Sequence, residues 1–248
     1  MVGFAFDGTG YGDDGSIWGG EVFTGSLTDG LKRFAHLRPA FLPGGDAAAR
    51  FPVQAAAGFL YEIGDRIAFD RAPFSFPARY AHARELIAHR VRAFETTSMG
   101  RLFDTVAALV GYTREQTFEG QAAMWLEHLA CSSAEVDPYV FPFEANEADF
   151  RPLLQSIVTD RVAGRDIAEI ALAFHKAVAG VVIAITNRSG ASNVVVSGGV
   201  FQNALLMEIL AGELNGRLWF NTRVPPNDGG LSLGQAALAA VSVTAHGV

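Results

Sequence analysis

The 248-residue chain is half apolar and 18% charged, with 19 basic against 26 acidic side chains, a net charge of -7 and a pI near 5.3. That balance supports one large buried core or two small ones, and it excludes a disordered chain and a broad phosphate-backbone surface for DNA or RNA. Cys131 is the single cysteine, which excludes an internal disulfide and a cysteine-based zinc site, points to a reducing cytoplasm, and reads as a small buried hydrophobe.

No charged stretch followed by an apolar run opens the chain. The most apolar helical stretch, 167–185, is interrupted by Glu169, His175 and Lys176, so neither a signal peptide nor a membrane span is expected. MVGFAFDG starts almost inside a strand pattern and reads as a piece of something longer. Val2 to Phe6 and Ile17 to Phe23 predict two strands joined by the glycine-rich turn DGTGYGDDG, with a third near Leu31 to Leu37. From 40 to 165 the texture is alanine-rich and helical, with FLPGG and DPYVFPF as loops; Tyr139, Phe141 and Phe143 in the latter suit either docking or packing.

Ser98 as N-cap and Gly111 as terminator bound a helix whose Met99, Leu102, Phe103, Val106, Leu109 and Val110 share one face. Gly100, Asp104 and Ala108 share the other, so Asp104 is either a carboxylate that a ligand can approach closely or a solvated surface aspartate. Asp166 and Glu169 open a core helix running to Ile185. A strand at 193–197, a helix at 201–214, a short strand at 218–220 and a last helix at 231–244 follow. Alternating strands and helices predict an α/β class with a largely parallel, layered sheet.

Three glycine-bearing corners stand out: DGTGYGDDG at 7–15, SGGVFQN at 197–203 and PPNDGGLSLG at 225–234, each at the end of an extended segment, where α/β folds place ligands. Gly8, Thr9 and Gly10 offer N–H and hydroxyl donors to phosphate oxygens, and Asp7 sits where it could hold a bridging cation. Gly198 and Gly199 let backbone approach a ligand at a helix start. Asp228 is either an N-cap or a second oxygen ligand for a divalent ion.

FAFDGTGYGDDGSIWGGEVF, TSMGRLFDTVAALVG, FEGQAAMWLE, SGGVFQN and VPPNDGGLSLGQAALA, in that order over essentially the whole chain, resemble the C-terminal part of the HypF carbamoyltransferases of [NiFe]-hydrogenase maturation. Bacterial O-carbamoyltransferases and the tRNA threonylcarbamoyl transferases are related. The resemblance implies an actin-like ATPase (ASKHA, ribonuclease H-like) two-lobed α/β fold with a helical insertion. On this reading 1–165 forms the first lobe with that insertion and 166–248 the second, with the adenosine-side loop. It further implies a cytoplasmic enzyme passing carbamoyl from carbamoyl-adenylate, made from ATP and carbamoyl phosphate in upstream domains, to the C-terminal cysteine of a HypE-type acceptor, releasing AMP. Carried over residue by residue, Asp7 and Asp228 match metal ligands, Gly8 to Gly10 the phosphate-side turn, Gly198, Gly199 and Asn203 the adenosine-side loop, and Asp104 and Gly120 helix positions facing the nucleotide. The metal, whether Mg, Fe or Zn, also takes two histidines four apart in the family. No such pair exists among His36, His82, His89, His128, His175 and His246, so the metal site is incomplete. His82 and His89 read as surface residues. No Ser–His or Cys–His arrangement suggests a protein nucleophile, and no catalytic side chain is assigned. The upstream domains are absent, so the chain reads as part of a larger enzyme. The alternatives are O-carbamoylation of a small molecule and a non-catalytic module that binds nucleotide or docks the partner.

Overall fold

The structure, a computed structural model, describes residues 1–64 and 67–245. Strands β1 (Val2–Tyr11), β2 (Ile17–Ser26) and β3 (Gly30–Leu37) come first, then β4 (Ala40–Pro43) and helices α1 (Ala47–Arg50), α2 (Pro52–Tyr61) and α3 (Ala78–Ala88). Strand β5 (Ala93–Thr96) leads into α4 (Met99–Val110) and α5 (Gln121–Ala130). The short β6 (Phe143–Glu144) and β7 (Glu147–Ala148) precede α6 (Phe150–Val162) and α7 (Ile167–Ser189). The chain closes with β8 (Val194–Ser197), α8 (Ala204–Leu214), β9 (Leu218–Phe220) and α9 (Leu231–Ala245).

The α/β class holds, and the sheet is mixed rather than largely parallel. Its order is β6-β7-β3-β2-β1-β8-β9, with β4 and β5 paired off this path. β1, β2 and β3 form an antiparallel meander, while β1–β8 and β8–β9 are parallel. Val2 pairs with Val194 and Phe4 with Val196, so strands on both sides of residue 165 belong to one sheet. The expected boundary there does not separate two sheets.

Alternation explains β1: Val2, Phe4 and Phe6 point into the core while their neighbours are half-buried. α4 is buried at every position except the half-buried Gly100, and α7 buries most of its length. The two meet where Phe103 packs edge-on against Phe174, ring centroids 4.8 Å apart. α7 is the one described helix long and apolar enough to cross a membrane, but 67% of its apolar window is buried inside the protein, as a core helix requires. The docking aromatics are spent on packing: Phe141 is buried, Phe143 lies against the core, and Tyr139 donates its hydroxyl to Asp160. Cys131, expected inside, is exposed, because α5 ends there and its buried stripe is Ala122, Leu126 and Ala130.

Candidate functional site

A cavity of about 540 Å³ opens where β1, α4, α5 and the segments after β8 and β9 meet, within the range of small-molecule sites. Asp7 and Gly8 reach it from β1, Gly199 and Asn203 from the corner after β8, and Asp228 from the corner after β9. Asp104 of α4 and Gly120, before α5, complete the predicted residues on its wall. Three corners far apart in the chain therefore share one hollow.

Thr9, Gly10 and Gly198 are not on that wall. DGTG is a turn in the sequence pattern, yet the chain continues as strand, with an irregularity between Phe6 and Gly10 after which Gly10 pairs with Trp18. This displaces Thr9 to the exposed side. Gly198 serves packing: at φ 104°, a Cβ would stand 2.2 Å from the Phe6 carbonyl oxygen, and its N–H already donates to Pro226 O at 2.7 Å. Asn227, not Asp228, caps the turn at 228–230, its Oδ1 accepting from Gly229 N–H at 3.1 Å. Asp228 follows as an exposed carboxylate.

Asp7 holds two corners together. One carboxylate oxygen accepts from Gly8 N–H at 2.6 Å and the other from Gly199 N–H at 3.2 Å. Ser98, the N-cap of α4, ties that helix to the same strand: its Oγ lies 3.0 and 2.7 Å from the Asp7 and Gly8 carbonyl oxygens, its one proton shared between them, and accepts from Arg101 N–H at 3.1 Å. The approach is so close that a Cβ on Gly100 would lie 2.8 Å from Gly8 Cα. Asn203 turns its side chain into the fold. Its Oδ1 caps α8 by accepting from Leu206 N–H at 2.8 Å, and its Nδ2 donates to His175 Nε2 at 2.9 Å. His175 Nδ1 is 2.7 Å from Ala171 O. This fixes the neutral tautomer with the proton on Nδ1. Burial pushes the imidazole pKa down to about 4.

Asp104 is no surface residue: it is 1% exposed. Burial raises its pKa to about 6, against the lowering effects of the Arg101 charge and the Gln116 amide. Pattern reading missed Arg101, on the same wall and 4% exposed, although its i,i+3 spacing to Asp104 was the available signal. Their charged atoms are 2.9 Å apart, but the angle is poor, so Arg101 Nε and Nη1 and Asp104 Oδ2 all lack a hydrogen bond. Glu127 was missed too; its Oε1 accepts from Ala204 and Leu205 N–H at 2.7 and 3.1 Å, bracing the start of α8 at the cavity edge.

The donors do not make a finished metal site. Asp7 and Asp228 line the same cavity, but among the described residues no three His, Cys, Asp or Glu side chains gather, and two carboxylates fall short of the sets Mg, Fe or Zn take. His36 is in β3, its Nδ1 2.9 Å from Leu37 O. His82, His89 and His128 are exposed, the first two as expected. His246 lies outside the described residues. What the cavity offers is closely approaching backbone at Gly8 and Gly199, a buried guanidinium and several carboxylates around a space for a small polar ligand.

Comparison with known proteins agrees. The family model described as "Carbamoyltransferase, Kae1-like Domain, second subdomain" matches residues 3–235. Carbamoyltransferase HypF of Rhodobacter capsulatus is 37% identical over 251 residues, spanning 97% of this chain and 32% of the relative. That of Synechocystis is 34% identical, spanning 95% of this chain and 33% of its own length. The chain thus spans about a third of these relatives. Among solved structures, full-length HypF in a phosphate- and nucleotide-bound form superposes with a TM-score of 0.84 at 36% identity, covering 98% of this chain and 39% of that one. HypF of T. kodakarensis has the same TM-score at 30% identity, covering 98% and 34%. The order β3-β2-β1-β8-β9 and the cavity beside the irregularity of β1 and the end of β8 are those of an actin-like α/β fold, and by the match over residues 3–235 the chain belongs to the HypF carbamoyltransferase family.

Proposed function

We propose that this chain is the carbamoyl-transferring part of a hydrogenase-maturation enzyme, binding carbamoyl-adenylate in the cavity between Asp7, Asp104, Gly199 and Asp228. The carbamoyl group passes to the C-terminal cysteine of a HypE-type acceptor. The thiolate sulfur bonds to the carbamoyl carbon, the bond from that carbon to the adenylate phosphate oxygen breaks, AMP leaves, and the thiol proton goes to solvent. No nucleophile from this chain is needed. The observation that carries the reading is the convergence of three sequence-distant corners on one cavity of about 540 Å³. A HypF structure holding nucleotide and phosphate supports the ligand class.

Roles follow from placement. Gly8 and Gly199 bring backbone to the cavity at its Asp7 side, and Gly120 opens α5 at φ 76° with no side chain in the way. Asn203 keeps the adenosine-side corner in register through its cap and its bond to His175. Thr9 and Gly10 are assigned no ligand contact. A divalent ion would use Asp7 and Asp228 with further ligands from outside the described residues, and would polarise the carbamoyl carbonyl when bound. A second reading is a nucleotide-binding and docking module without turnover, which would use the same cavity.

Calorimetric titration with AMP and ATP tests binding, and mass analysis of HypE after incubation with carbamoyl-adenylate tests transfer. AMP binding with a carbamoyl-sized gain on HypE supports the first reading. Binding without that gain supports the second. No binding of either nucleotide refutes both.

A further inference from the structure

We propose that Arg101 is the phosphate-binding residue of this cavity, its guanidinium taking the phosphoryl oxygens of a bound adenylate. This rests on the adenylate reading given above. Arg101 is 4% exposed and lines the cavity, yet its Nε and Nη1 have no hydrogen-bond partner. The contact with Asp104 at 2.9 Å neutralises the charge without satisfying the donors. Buried donors are nearly always paired, so a guanidinium on a cavity wall with two donors left unpaired can gain by turning to a ligand that supplies the acceptors.

Position fits the same ligand. A Cβ on Gly8 would sit 3.0 Å from Arg101 Nη2, which sets the guanidinium against the glycine corner of β1. Arg101 also lies in the first turn of the twelve-residue α4, whose start is fixed to that corner by Ser98. Guanidinium is a planar fork suited to two oxygens of one phosphate. Among the described residues lining the cavity it is the one cation, facing Asp7, Asp104, Glu119, Glu127 and Asp228. In so acidic a space, a phosphate needs that cation to bind.

Paired titrations of AMP and adenosine against the whole chain test the assignment, since the two ligands differ only by the phosphate. Wild type is expected to prefer AMP. Arg101→Gln should weaken AMP by roughly 10- to 100-fold, the range of hydrogen bonds to charged groups, while adenosine changes by less than about threefold. Arg101→Lys keeps a point charge without the fork and should fall between. Wild type binding adenosine as tightly as AMP, or Arg101→Gln losing both ligands alike, would overturn the inference and leave a nucleotide site standing. Wild type binding neither overturns the adenylate reading and this inference together. Should Arg101→Gln fail to fold, Arg101→Lys decides: an unchanged ratio of AMP to adenosine affinity overturns the role.

Discussion

Acidification should unlock the corner at 199–203 through one imidazole. His175 is fully buried in α7, between Ala171 O on Nδ1 and the Asn203 amide on Nε2. A proton on Nε2 removes the acceptor that Asn203 Nδ2 needs, and places a charge beside the rings of Phe103 and Phe174. Burial takes the folded pKa from 6.5 to about 4, so stability from the neutral ring is complete above 6.5 and is lost as pH falls through 4. At about 1.4 kcal/mol for each tenfold change in proton affinity, that loss is about 3 kcal/mol. Urea unfolding of wild type and His175→Gln at pH 7 and pH 4 measures it. The Gln variant cannot titrate, so wild type should forfeit about 3 kcal/mol relative to it on going to pH 4. An equal pH response in the two proteins would refute the tautomer and the role of Asn203 as its donor.

Asp104 should act in the opposite direction over the same range. Its folded pKa of about 6 exceeds the ordinary 3.8, so the protonated form stabilises fully below 3.8 and that contribution is lost as pH rises through 6. Asp104→Asn should gain on wild type by about 2 kcal/mol between pH 4 and 6, read by urea unfolding; no relative gain would mean the carboxylate is hydrated. Gly198→Ala places a Cβ 2.2 Å from Phe6 O at a left-handed φ, and should cost roughly 2 kcal/mol or more in unfolding free energy. Gly199→Val brings a branched side chain to 3.1 Å from an Asp7 oxygen at the cavity edge, and should weaken AMP binding by roughly tenfold or more, about 1.4 kcal/mol, by calorimetry. Unchanged affinity would remove Gly199 from the ligand wall.

Local signals in the chain proved faithful where the physics is local. Ser98 accepts from Arg101 N–H, Asp166 accepts from Ala168 and Glu169 N–H, and Gly111 ends α4 at φ 126°, each an end that a short motif satisfies by itself. Asn203 carried such a signal too, a capping residue ahead of an apolar run, yet the pattern alone started its helix three residues early. The strand through Asp7 to Tyr11 was illegible as strand, because pairing with β2 outweighs the turn preference of its glycines.

What the sequence by itself determined is the helices α4 and α7, the alternation from β8 to α9, the glycine-bearing segments and the family, since periodicity, caps and glycine spacing are properties of neighbouring residues. It took FLPGG as a loop and missed β4 to β7, of which β4, β5 and β7 exist only through pairing with distant residues. Only the tertiary structure decided the site's electrostatics. Arg101 and Asp104 are an ordinary helix pair until α4 is buried against Asp7 and Gly8 of β1, and His175 is a polar interruption in an apolar helix until Asn203 arrives from another corner. Desolvation and partner choice depend on what folds over a residue, and that comes from distant parts of the chain.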